Sequence, residues 1–256
     1  MIYIVLPVHN RANITVNFIK CLLKQNYKNF KLILIDDGST DRTREMVLYY
    51  LPESVILIGN GNLWWAGALH LGYKWIIKNV NDGIVLFIND DTIFNQDFLQ
   101  TGLDILSKKE KTLLLAQCYS QNTHLLIDKG VHFDYKSLTF QQVKKKEDIN
   151  CLSTRGLFLK VNDLKDIGGF YPKLLPHYLS DYEFTIRAHK KGYKLETNEY
   201  LKLFVNEETT GFHEIQYNCI WNYYQKYFSY KNHSHPLHWL AFIYLTVPYP
   251  YKIYHM

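Results

Sequence analysis

The chain has 256 residues, 47% hydrophobic and 21% charged, which suits one large folded domain or one domain with a tail. No stretch reaches the roughly 18–20 apolar residues that span a bilayer, and Cys21, Cys118, Cys151 and Cys219 stand singly, excluding a metal-spaced pair or an evident disulfide framework and fitting a reducing compartment. The net charge of +5 favours anionic partners (nucleotide diphosphates, phospholipid head groups or nucleic acid) without choosing among them.

The start, Met1-Ile2-Tyr3-Ile4-Val5-Leu6-Pro7, has no charged region before its apolar run, so it reads as a first strand and not as a signal peptide. Pro7 closes the β-branched run Ile2–Leu6. A helical pattern follows, with Ile14, Phe18, Leu22 and Leu23 on one face and Asn13 as its cap. Leu32–Ile35 reads as a second strand, and Met46, Val47, Tyr50 and Leu51 mark a second helix. Val55–Ile58 is a third strand, and a helix from about Ala66 turns Leu69, Tyr73, Ile76 and Ile77 inward. Ile84–Ile88 is a fourth strand. Strand and helix alternating at this spacing predict βαβ units and a parallel sheet. Right-handed crossovers then put the loops after the strands on one edge, where ligands bind.

Past residue 112 the pattern loosens. Leu113–Cys118 and Leu157–Val161 read as strands, and Ser180–Lys191 as a helix stopped by Gly192. The basic run Lys144-Lys145-Lys146 reads as a solvated loop. The 21 tyrosines suit sugar stacking, a membrane interface, or simply a compositional bias.

The polar clusters fall at the predicted strand ends. Pro7-Val8-His9-Asn10-Arg11 follows the first strand; backbone groups there can frame a base, and Arg11 can meet phosphate. Asp36-Asp37-Gly38-Ser39 follows the second, where an acid can accept from a ribose or an imide N–H, or simply cap a turn. Asn60-Gly61-Asn62-Leu63-Trp64-Trp65-Ala66-Gly67-Ala68 opens a helix whose small residues let a diphosphate approach free N–H groups, while the tryptophans pack on a ligand or in the core. Asn89-Asp90-Asp91 ends the fourth strand and suits Mg²⁺ or Mn²⁺ held jointly with a diphosphate. Asp181 and Glu183 are two apart on a helix, so one can face a cleft while the other makes a structural contact. Asp181 is the candidate general base, against the plainer reading of a helix N-terminal acid. His213 is a candidate third ligand for metal or diphosphate.

Taken together and in order, these clusters, with Gly168-Gly169-Phe170 and Ser180-Asp181-Tyr182-Glu183 plus Arg187, resemble the family 2 inverting glycosyltransferases. The resemblance covers about residues 1–215 and implies a GT-A fold: a Rossmann-like, mostly parallel α/β sheet flanked by helices, followed by an aromatic-rich helical tail. It implies a nucleotide-sugar-binding half over 1–112, an acceptor-binding half over 113–215, and an extension over 216–256. By the resemblance, Asp37 contacts the nucleoside base, Asp91 is the last acid of a D-x-D-type metal motif, and Asp90 lies by the ribose or diphosphate. Pro7, Val8, His9, Arg11, Asn62, Trp65, Gly67 and Asn89 complete the donor site, Asp181 is the catalytic base, and His213 serves the metal or diphosphate. Asn89 and Ser180 depart from the acids many members carry there, and His70 stands where related sequences often have Asn. Gly61–Ala68 looks like a branch associated with bacterial surface polysaccharides, including rhamnosyl-type enzymes.

The expected reaction is a single displacement from a UDP- or dTDP-sugar onto a hydroxyl of a glycan or lipid-linked acceptor, in polysaccharide biosynthesis at the cell envelope. A divalent cation, with helix amides near Ala66–Ala68, would neutralise the departing diphosphate. The tail from about 217 is dense in Tyr, Trp and His; it suits an interfacial anchor on the cytoplasmic membrane face, or a segment folded on the domain or at a dimer contact. A sugar nucleotidyltransferase would carry a glycine-rich loop where Pro7–Arg11 stands, and a non-catalytic binding module would lack the acids. No nucleic-acid-binding motif is present.

Overall fold

Apolar side chains alternate along the central strands between two buried faces, and that period organises the molecule. In a computed structural model, which describes residues 1–143, 145–206, 232 and 234–255, β1 is Ile2–Val8, β2 Phe30–Asp36, β3 Val55–Ile58, β4 Ile84–Phe87, β5 Thr92–Phe94 and β6 Thr112–Ser120. The later strands are β7 Leu126–Asp128, β8 Val131–Asp134, β9 Thr139–Gln142, β10 Leu157–Lys160 and β11 Lys194–Val205. The helices are α1 Ala12–Leu23, α2 Thr43–Tyr50, α3 Trp64–Asn79, α4 Phe98–Ser107, α5 Val161–Ile167, α6 Ser180–Lys190, α7 Pro236–Thr246 and α8 Tyr251–His255.

Among the described residues one nine-stranded sheet runs in the order β3-β2-β1-β4-β10-β6-β11-β5, with β7 beside β6, and β8-β9 form a separate hairpin. The block β3-β2-β1-β4 is parallel, with Val8 opposite Asp36 at the shared carboxyl edge. β10 enters antiparallel between β4 and β6, and β11 is parallel to β6. The parallel pattern of the first half therefore ends at β10.

Val5, Ile33, Ile35, Val85 and Phe87 face α3, α5 and α6 on one side. Their neighbours Ile4, Leu6, Leu32, Leu34 and Leu86 face α1 and α4 on the other, as a period of two requires. Gly72 lets α3 lie flat on β1, since a Cβ there would stand 2.6 Å from Val5 Cγ1. A third cluster joins the β8-β9 hairpin (Phe133), Leu175, Leu179 and Ile186 to Phe242, Ile243 and Val247 of α7. One face of α7 is thus folded onto the domain.

Several local expectations shift. Asn13 lies inside α1 and is exposed, and the residue before the helix, Arg11, makes no side-chain cap. Leu23 and Ile77 are on outer faces, because the buried stripes run through Thr15, Ile19 and Leu22 in α1 and through Leu69, Gly72 and Ile76 in α3. α3 begins two residues early, at Trp64.

Candidate active site

The carboxyl ends of β1, β2 and β4 and the start of α3 meet at one edge of the sheet. After β2, Asp36 is spent on structure: Arg44 Nε lies 2.7 Å from it, and Ser39 N–H donates to it at 2.9 Å. Asp37 donates its own N–H to Val8 O, and the Val8 side chain is buried. The Asp37 carboxylate accepts Gly61 N–H at 2.8 Å on Oδ1, and Leu63 N–H at 2.9 Å and Trp64 N–H at 3.2 Å on Oδ2. One lone-pair direction on Oδ1 is left for a ligand donor. Gly38 makes the approach possible: its φ is +72°, and a Cβ there would stand 2.8 Å from Gly61 N. Pro7 is half-buried in β1, and His9 holds Asp37 O through Nδ1 at 2.6 Å.

The two acids after β4 have different surroundings. Asp90 is buried, accepts Thr15 Oγ1–H at 2.8 Å and lies 3.2 Å from Arg11 Nε. Burial pushes its carboxyl up to about 6, with Arg11 and Thr15 opposing the rise. Asp91 meets Arg11 Nη2 at 3.4 Å through Oδ2, while its Oδ1 is buried with no hydrogen-bond partner. Asn89 Oδ1 is buried in the same condition. Orphaned oxygens on two residues of one loop are what a hard cation or its hydration shell satisfies. Among the described residues no group of three His, Cys, Asp or Glu is arranged to hold a metal. His213, the expected third ligand, lies outside the described residues.

Asp181 is the second residue of α6, which Ser180 opens immediately after Leu179 in the left-handed region at φ 66°. Its carboxylate accepts the backbone N–H of Tyr182 at 3.1 Å and that of Thr154. Burial pushes it up to about 6; these donors pull the other way and Asp128 adds to the rise. Glu183 points away from Asp181 and pairs with Arg187 at 2.8 and 3.0 Å. Arg187 also donates to Ile167 O and Gly169 O, pinning the Gly168-Gly169-Phe170 turn.

A residue pair that sequence reasoning passed over, Thr154-Arg155, links the two acid groups. Thr154 N–H reaches Asp181, and the Arg155 guanidinium lies in the field of Asp91 and Asp128. Burial works against the Arg155 charge, while the Asp91 and Asp128 carboxylates and a hydrogen bond with Cys118 favour it. Asp128 in turn accepts Ser153 Oγ–H at 2.6 Å and Gly130 N–H at 2.9 Å. The one available signal was a lone arginine beside a glycine at the head of the apolar strand Leu157–Lys160.

The start of α3 behaves differently from expectation. Its amides are occupied by protein: Leu63 and Trp64 N–H go to Asp37, Ala66 N–H to Pro176 O at 2.9 Å, and Gly67 N–H to Leu63 O. Four of the amides expected to meet a diphosphate are thus claimed by protein, and this helix end bolts the Asp37 and Pro176 loops instead. Gly67 is buried, and a Cβ would sit 3.2 Å from Leu63 Cβ, so it serves packing. Trp65 packs against the core and donates its indole N–H to Thr154 Oγ1 at 3.1 Å. Trp64, left-handed at φ 55°, lies 5.8 Å centroid to centroid from His177, whose ring is 4.5 Å from Tyr178. Asn62 is exposed on the wall of a cavity of about 300 Å³ shared with His70, Lys74 and Pro172. His70 stacks on Tyr73 at 5.5 Å.

Residues 3–166 match the description of Glycosyl transferase family 2. The amylovoran biosynthesis glycosyltransferase AmsB of Erwinia amylovora is 27% identical over 208 residues, 75% of this chain and 64% of that protein. Across curated relatives the shared segment ranges down to 15% of the relative's length, and for an uncharacterised glycosyltransferase of Rickettsia conorii, 32% identical over 108 residues, it is 42% of this chain and 17% of that protein. S. aureus TarS 1-349, solved with UDP-GlcNAc, superposes with a TM-score of 0.61 at 17% identity over 84% of this chain and 59% of that one. GalNAc-T7, solved with UDP, GalNAc and Mn²⁺, gives 0.68 at 14% identity over 89% and 49%. These structures share the GT-A arrangement of a central mixed sheet between helices. With more than half its length matched by that description, the chain belongs to glycosyl transferase family 2.

Proposed function

We propose that the protein is an inverting glycosyltransferase that moves a sugar from a UDP- or dTDP-linked donor to a hydroxyl of a glycan or lipid-linked acceptor. The observation that carries this reading is the Thr154-Arg155 pair: Thr154 N–H supports Asp181, a half-buried carboxylate of raised pKa, and the Arg155 charge lies in the field of Asp91, whose buried Oδ1 lacks a partner. Residues 1–215 form the catalytic unit, with donor binding over 1–112 and acceptor binding over 113–215, and 216–256 form an extension that contacts the cytoplasmic membrane face peripherally. The relationship to AmsB supports a role in assembling an extracellular or envelope polysaccharide.

The nucleoside lies over His9, Pro7 and the backbone of Val8, with its imide N–H on the remaining Asp37 lone pair. Arg11 and Arg155 face the diphosphate side, where their charges offset the negative charge that grows as it leaves. A divalent cation, Mn²⁺ or Mg²⁺, fits the orphaned oxygens of Asp91 and Asn89, with His213 as a further ligand, and supplies Lewis-acid neutralisation of the leaving group. Asp181 takes the acceptor hydroxyl's proton; a value near 6 keeps it mostly ionised at neutral pH yet basic enough to act. Holding donor and acceptor in line supplies the rest of the acceleration. The decisive experiment screens nucleotide sugars for Mn²⁺-dependent nucleotide release, then reads the anomeric configuration of the product by NMR. An inverted product supports the reading; a retained one, or no release from any donor, overturns it.

A further inference from the structure

Seven large apolar or aromatic side chains stand out of the protein on α7, α8 and the turn between them. α7 has an inner side, Phe242, Ile243 and Val247, buried against Leu175, Leu179 and Ile186. Its outer side presents Leu237 at 61%, Leu240 at 44% and Tyr244 at 60% exposure. Their spacing of three and four residues makes one stripe along the helix. Tyr249 in the following turn is exposed at 77%, and Tyr251 at 40%, Ile253 at 62% and Tyr254 at 80% are exposed on α8. A cluster of this kind on a folded domain marks an interaction surface, not ordinary scatter.

Charge selects the partner. No Asp or Glu follows Glu214 in the sequence, whereas Lys226, Lys231 and Lys252 do occur there. Lys252 donates to Tyr244 O at 2.6 Å, and Lys190 donates to Thr246 O, so both ammonium groups border the stripe. They lie close enough for Lys252 to depress the Lys190 pKa, an effect second to burial. A symmetric contact with a second copy would bring Lys190 and Lys252 toward their own counterparts. Anionic head groups complement it, and tyrosine places its ring in the acyl boundary with its hydroxyl in the head-group layer. The 11 residues of α7 are too few to cross a bilayer, and no helix among the described residues is long and apolar enough to do so.

We infer that the outer face of α7 and α8 seats the protein in the interfacial plane of an anionic bilayer. This deepens the peripheral contact of the proposed function by assigning its residues and its lipid class. The same α7 packs by its other side on Leu179, two residues before Asp181. Seating therefore holds the base-bearing loop about one helix thickness, roughly 10 Å, from the head groups, within reach of a lipid-borne acceptor.

The test is co-sedimentation of the full chain with vesicles of pure phosphatidylcholine and of equimolar phosphatidylcholine and phosphatidylglycerol. We expect binding to the mixed vesicles at least about tenfold tighter than to the neutral ones, and weakened by salt. Leu240→Glu with Tyr244→Glu should cut it at least about tenfold, and Lys252→Glu by about fivefold or more. These side chains are exposed, so melting temperatures should stay close to that of the parent chain. Nucleotide release into solution should also persist in these variants, so a failed seat and a failed transferase reading give different results. Absence of wild-type binding to the mixed vesicles, or equal binding by the variants, overturns the inference. So does a vesicle-free dimer, seen by light scattering, that the double variant dissociates.

Discussion

Trp65 and Thr154, 89 residues apart, are joined by an indole N–H to hydroxyl bond of 3.1 Å. The two halves of the site hang on this bond. Trp65 sits in the first turn of the helix whose preceding amides close around Asp37, and Thr154 N–H supports Asp181. This bond, with that of Ala66 N–H to Pro176 O, sets the α3 start relative to the segments around Asp181.

Thr154→Val removes the hydroxyl and keeps the backbone donor to Asp181. The indole N–H then loses its partner, which should cost about 1–3 kcal/mol. Turnover should fall several-fold with donor KM unchanged. Trp65→Phe should lose less, and the double variant should cost clearly less than the sum, with a coupling of about 0.5–1.5 kcal/mol in denaturant titrations. Strict additivity would show that the contact couples nothing.

Asp181→Asn keeps the shape and removes the basicity. We expect kcat to fall roughly 10²–10⁴-fold with nucleotide binding retained, measured by steady-state kinetics and calorimetry. Near-wild-type turnover would reassign the base.

The raised Asp181 pKa has two pH consequences. The base must be ionised, so kcat/KM should rise with pH through an inflection near 6 that Asp181→Asn lacks. For stability the sign is reversed from that of an ordinary ion-paired acid. The folded chain binds this proton more tightly than the unfolded chain does, so stability falls as pH rises from 3.8 to about 6. Asp181→Asn should therefore melt higher than the parent at neutral pH, by about 1–2 kcal/mol or roughly 2–8 °C, with the gap closing near pH 4. Thermal scans at the two pH values decide it.

Asp91→Asn should uncouple metal from nucleotide. In the parent chain Mn²⁺ should tighten UDP binding on the order of 10-fold, and UDP should tighten Mn²⁺ by the same factor. Calorimetric titrations of the variant should show nucleotide affinity nearly independent of Mn²⁺. Unchanged coupling would remove Asp91 from the metal site.

Asp37→Asn puts an amide N–H₂ among three backbone donors. At least one of the bonds from Gly61, Leu63 and Trp64 must break. We expect a stability loss of about 2–3 kcal/mol and UDP affinity reduced more than about tenfold. Equal stability with lost affinity would make Asp37 a ligand contact alone.

Much of this was legible in the chain. The β-branched runs Ile2–Val8 and Ile84–Phe87 and the turn chemistry of Asp36–Ser39 carry short-range information, because strand period and turn preference act over a few residues. The spacing of Asp181 and Glu183 predicts that they face apart, and Glu183 makes a structural pair with Arg187 that Asp181 does not share. What stayed hidden was decided by contacts between distant segments. The amides of α3 looked free in sequence, yet Asp37 and Pro176 claim them only once β2 and the loop after α5 arrive beside them. Arg155 and Asp128 carry no local signature; their role comes from β6, β7 and β10 bringing Cys118, Asp128 and Arg155 next to Asp91. The sequence by itself determined the strands, the helices and which residues could bear charge chemistry. Only the tertiary structure decided which of those charges are buried together, because burial and pairing depend on what the rest of the chain excludes from water.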